Sequence, residues 1–101
     1  MEISVLAKDP KVLIEVEGRL DTINSPVFQK VILDALEENK KDMVIECSKL
    51  SFVSSSGLRA LLLLAKNADN YGAEITLTHL TEIVREVLEV SSIEEFFNIE
   101  E

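Results

Sequence analysis

"LSFVSSSGLRALLLLAK" occupies residues 50–66, and the fold turns on how it is read. An apolar approach (Leu50, Phe52, Val53) runs into three consecutive hydroxyls, Ser54, Ser55 and Ser56, followed by Gly57 and a leucine-rich segment. The apolar run before it, residues 42–47 (DMVIEC), reads as a central strand. After it, Leu58, Leu61, Leu64, Ala65 and Ala68 gather on one side of a helix at 100° per residue and are predicted to pack on a sheet. The stretch is therefore strand, small-residue turn, helix, with the helix expected from Ser55 to Tyr71 and stopped by Gly72. Its opposite side carries Arg59, Leu63, Lys66, Asn67 and Asn70, with Ser55 at the head of the stripe.

Outward from this stretch the pattern repeats. Residues 2–7 (EISVLA) read as a strand, Asp9-Pro10 as a turn, and residues 11–17 (KVLIEVE) as a second strand antiparallel to the first. Gly18 to Asn24 reads as a loop, with Ser25 as a helix N-cap and Pro26 at the first helical position. That helix, in which Val27, Phe28, Val31, Ala35 and Leu36 recur at helical spacing, is expected to end near Glu38. Residues 73–78 (AEITLT) give a fourth strand with Ile75 and Leu77 inward and Thr76 and Thr78 outward. A third helix opens at Leu80 or Thr81, and Ser92 with Glu95 matches a capping box before a short last helix, "IEEFFNI". These elements predict one α/β domain over residues 1–101. Its four-stranded mixed sheet has an antiparallel first pair, then parallel right-handed crossovers, and is covered by about four helices.

Several function classes are disfavoured. A net charge of −9, from 19 acidic and 10 basic residues, repels nucleic acid and anionic membranes and favours partners with basic patches. No run approaches the roughly 18 apolar residues of a membrane span, no signal peptide is visible, and the single Cys47 suits a reducing cytoplasm. A catalytic serine would need a base, and the one histidine, His79, lies at the end of the fourth strand. One His and one Cys far apart make no metal cluster, and three glycines make no nucleotide loop. Neither metal, cofactor nor enzymatic activity is expected. The serine turn itself has two readings. Its hydroxyls are helix caps, or the free N–H groups and dipole of the helix start make it tolerant of an added anion such as a phosphate. Gly57 would allow a tight turn or a positive φ there.

Three strings, "LSFVSSSGLRALL" (50–62), "EGRLDTINSPVF" (17–28) and "LTEIVREVLEVSSIEEFF" (80–97), together resemble the bacterial anti-sigma factor antagonists, the single-domain STAS proteins. The resemblance implies a STAS-type sandwich and a partner-switching protein. Unphosphorylated, such a protein docks on an anti-sigma factor, a serine kinase with a bound adenine nucleotide, and so releases a sigma factor. That kinase modifies the serine and a phosphatase resets it. The family's phosphorylated serine falls on Ser55, followed by Ser56, Gly57 and Leu58; the family's G-x-L-D loop falls on Gly18, Arg19, Leu20 and Asp21. Asp21, Ser54, Ser56 and Gly57 would then form the turn, and Arg59, Leu63 and Lys66 the docking face. The sequence departs from the family at Ser54 (usually aspartate), Asn24 (threonine), Ser92 (glycine) and Glu82 (proline). The alternative implied by the same resemblance is a non-switching STAS subunit of a transport or stress-sensing assembly.

Overall fold

A computed structural model of residues 1–101 begins with strands β1 (Glu2–Ala7) and β2 (Val12–Leu20), helix α1 (Ser25–Asn39) and strand β3 (Met43–Val53). Helix α2 (Ser55–Asp69), strand β4 (Ile75–Thr78), helix α3 (Glu82–Val90), a 3-10 turn (Glu94–Phe96) and strand β5 (Asn98–Glu100) complete the chain. The strands form one sheet in the order β1-β2-β3-β4-β5, with β1 antiparallel to β2 and each later neighbour parallel. Every parallel step moves in the same direction, so right-handed crossovers place α1, α2 and α3 on a single face. Their buried side chains (Phe28 and Ile32, Leu61 and Leu64, Val84 and Leu88) join the inward residues of β2, β3 and β4 in one core. The other face of the sheet carries no helix and presents Glu15 and Glu46 at alternate strand positions.

The mixed sheet and its first antiparallel pair match the expectation, but there are five strands, not four, and three α-helices, not about four. The extra strand is Asn98–Glu100, which pairs parallel to β4 from a segment whose apolar residues suggested a helix. No capping box forms before it. Ser92 instead takes a left-handed φ of 61°, ending α3, and only one 3-10 turn follows. Thr76 and Thr78 take the face away from the helices as expected, level with Val44 and Glu46, but are buried there, and Asn98 Nδ2 of β5 donates to Thr76 Oγ1 at 3.3 Å. Val27 is 63% exposed, and Ile32 is buried in the core. Ser25 lies inside α1 rather than capping it, with Asn24 at the N-cap position. The parallel strands also run further than their periodicity suggested. β2 continues through Gly18, Arg19 and Leu20, and β3 to Val53, because register shifts at Glu15/Glu17 and Gly18/Arg19 carry the pairing past the point where alternation fades. Gly18 accommodates the second shift with φ 107°.

Candidate functional site

The extended β2–β3 pairing builds the site. Leu20 and Val53 are partners across the two strands, so both chains leave the sheet together and the Asp21–Asn24 loop meets the serine turn. The Ser54 N–H donates to the Leu20 carbonyl at 2.8 Å. Gly57 is required here by proximity, not by a positive φ. A Cβ at this position would lie 2.7 Å from Leu20 Cγ and 3.1 Å from the Leu20 carbonyl oxygen.

The three serines do different things. Ser54 is the N-cap of α2, and its Oγ accepts from the Gly57 N–H at 3.2 Å. Ser54 Oγ and Ser56 Oγ are 3.0 Å apart, Ser56 Oγ lies 3.3 Å from Ser25 Oγ, and Ser25 Oγ donates to the Asp21 carbonyl at 2.6 Å. Each hydroxyl has one proton, and the carbonyl at the end can only accept. The direction is therefore fixed: Ser54 donates to Ser56, Ser56 to Ser25, and Ser25 to Asp21. Thr22 Oγ1 offers Ser56 a second, longer partner at 3.5 Å. Ser55 stands outside this chain. It is the first residue of α2, exposed, and its hydroxyl makes no hydrogen bond.

The structure gathers Asp21, Ser54, Ser56 and Gly57 at one point. Asp21 acts on backbone there: its Oδ1 accepts from the Asn24 N–H at 2.9 Å and its carbonyl closes the hydroxyl chain. Arg59, Leu63 and Lys66 lie on the exposed side of α2 and, with Gln29 of α1, line a shallow cleft of about 310 Å3. Neither cation is in an ion pair. Arg19 is also at this end, its guanidinium 4.3 Å from the centroid of Phe52.

Sequence reasoning missed Thr22 and Ser25, the loop's half of the hydroxyl chain, and the apolar pair Ile23 and Val27, which are 85% and 63% exposed beside it. An isoleucine inside an otherwise polar loop was the available signal. His79 is remote from the serines. It meets Glu46 through Nδ1–Oε2 at 2.7 Å, and Glu46 lies eight residues along β3 from Ser54, roughly 26 Å at strand rise. Burial raises the Glu46 carboxyl, but the hydrogen bonds from His79 and Ser48 outweigh it and hold it below its ordinary value.

The chain belongs to the STAS domain family, whose model matches residues 2–101. Among curated proteins it is 28% identical over 83 residues to BtrV of Bordetella bronchiseptica, a candidate anti-sigma factor antagonist, covering 82% of this chain and 72% of BtrV. Among solved structures, the anti-sigma factor antagonist SpoIIAA in its unphosphorylated form superposes with a TM-score of 0.80 at 19% identity, covering 97% of this chain and 85% of SpoIIAA. The phosphorylated form of SpoIIAA, from Bacillus, matches at 0.72 and 18% identity, over 97% and 88% of the two chains. The murine anion transporter Slc26a9 also matches, with a TM-score of 0.76 and 18% identity over 87% of this chain and 16% of the transporter. At these identities the structural likeness establishes the fold.

Proposed function

We propose that the chain is an anti-sigma factor antagonist switched by phosphorylation of Ser55. One observation carries the assignment of the serine: the hydroxyls of Ser54 and Ser56 are committed to the chain that ends on Asp21, while Ser55 alone is exposed and unbonded. The similarity to BtrV, and to a fold neighbour known in unphosphorylated and phosphorylated forms, supports the same reading.

Unphosphorylated, the face formed by Ile23, Val27, Leu63, Arg59 and Lys66 around Ser55 offers apolar knobs and two unpaired cations to an anti-sigma factor. That partner, a serine kinase holding ATP, transfers the γ-phosphoryl group. An Oγ–P bond forms, the bond to ADP breaks, and the hydroxyl proton passes to a base of the kinase. The product carries about −1.5 to −2 charges and three acceptor oxygens. First-turn N–H groups without helical acceptors and the positive end of the α2 dipole accommodate that charge. Arg59 is one helical turn on from Ser55, so the phosphate also competes for a cation the partner would use. A hundredfold loss of affinity needs only ~2.7 kcal/mol, which one desolvated, unmatched dianion supplies without any change of fold. A phosphatase restores the docking surface. The chain's own part is binding, not catalysis.

The second reading, a non-switching scaffold subunit, is favoured by Ser54. Here it serves as a helix cap, and the match to one module of an anion transporter shows the fold in such a setting. Phosphosite mapping by mass spectrometry, after incubation with ATP and the cognate kinase, separates the two. Phosphate on Ser55 that is absent from Ser55→Ala is the expected result. Phosphate on Ser54 or Ser56 would keep a switch but overturn the residue assignment, and no modification at all would favour the scaffold.

A further inference from the structure

Helix α3 carries more apolar surface than the core uses. At 100° per residue, Val90, Ile83, Val87, Val84 and Leu88 share an arc about 160° wide. Val84 and Leu88 are buried, but Ile83 and Val90 remain 59% and 82% exposed. With Val87 and with Leu58 of α2 they line an apolar groove of about 380 Å3 between the two helices. Ser91, at its end, returns its hydroxyl to the Val87 carbonyl at 2.8 Å, so it offers no free donor. Directly beside the exposed half of the arc, Glu82, Glu86 and Glu89 form a stripe along the helix. None of the three is in an ion pair, and the one cation of α3, Arg85, is turned to Glu101 at 2.8 Å.

We propose that this groove docks an amphipathic helical segment of another protein, whose apolar stripe covers Ile83, Val87 and Val90 and whose Lys or Arg residues pair with Glu82, Glu86 and Glu89. The occupant follows from charge. A second copy would bring another carboxylate stripe and another −9 charges to the same place. A basic amphipathic helix instead satisfies the apolar floor and the acidic rim together. The groove lies on the α3 side of α2, whereas the cleft at Arg59, Leu63 and Lys66 opens between α2 and α1, so the two can be filled at once. The proposal does not rest on phosphorylation of Ser55.

The test is an amide NMR titration of the full chain at physiological salt with a synthetic amphipathic peptide of about twelve residues, leucines on one face and lysines on the flank. A scrambled peptide of the same composition, lacking the apolar face, is the control. Saturable shifts centred on Leu58 and residues 83–91, seen only with the patterned peptide, are expected. The exposed-residue variant I83S/V90S should abolish them without altering the circular dichroism spectrum. E82Q/E86Q/E89Q should weaken binding about tenfold, within the range for three charge pairs at a rim. Equal shifts with the scrambled peptide, or shifts centred elsewhere, would overturn the proposal. So would a dimer of the unmodified chain in sedimentation that I83S/V90S converts to monomer, since the groove would then belong to a second copy.

Discussion

Ser54, Ser55 and Ser56 are chemically identical and consecutive, and their surroundings give them different work. Ser54 caps α2 and starts a directed run of protons, Ser56 relays it, and Ser55 takes no part. Ser54→Ala should therefore lower stability by ~1 kcal/mol, the usual cost of a lost N-cap. Ser55→Ala should leave the urea midpoint unchanged within error. Ser54→Asp should retain the cap and gain from the helix dipole. An aspartate there can only accept, so Ser56 would turn its proton toward it and Ser25 would keep its bond to Asp21. Equal losses from Ser54→Ala and Ser55→Ala in urea denaturation would contradict this division of labour. Spacing alone could show that one of the three was a cap, but not which. That depends on Ser25 and Thr22, some 30 positions away in sequence and adjacent only once β2 and β3 have paired.

At the level of elements, strand and helix order through α3 was legible because apolar periodicity changes cleanly between 2 and 3.6 along the chain. It failed where tertiary pairing overrides local pattern. Residues 18–20 look like the start of a loop, yet β3 holds them in the sheet through a bulge at Gly18. Residues 98–100 lack a strand pattern of their own and become one because β4 offers an unpaired edge. Val27 and Ile83 fit a core stripe by spacing and are exposed in the structure, which turns them from packing residues into candidate contact residues. The supposed capping box at Ser92 hides a left-handed residue. With φ 61°, Ser92 occupies a conformation that costs an L-residue about 1 kcal/mol and glycine almost nothing. Ser92→Gly should accordingly raise the thermal midpoint by several degrees, as ~1 kcal/mol does in a domain of this size. A lower midpoint in calorimetry would refute it.

For the whole molecule, the buried Cys47 and the half-buried Glu46 each contribute to how stability varies with pH. Burial, with a smaller push from the nearby Glu46 charge, drives the Cys47 thiol from 9.0 up to about 12, against a weaker backbone hydrogen bond from Thr78. A raised value in the folded chain means the stabilisation is complete below pH 9.0 and is lost as pH climbs toward about 12. Glu46 works in the opposite sense. Held below its ordinary 4.5, it supports the fold above that pH and ceases to do so as pH falls further. Urea midpoints of the unmodified chain should thus fall on the alkaline side more steeply than those of Cys47→Ala, and the native thiol should resist alkylation at neutral pH. Parallel alkaline slopes for the two chains would show that Cys47 has no part in the loss. The order of strands in the sheet has a kinetic consequence as well. Each strand lies beside its predecessor in the chain, so none has to be inserted between two already joined. Emerging from a ribosome, every new strand meets an edge that already exists, and each crossover closes over the shortest loop the chain allows. Assembly can therefore follow the order of synthesis, keeping each crossover as local as a parallel pairing allows, with the standing edge at β1 and the newest strand the two edges left unpaired at any moment.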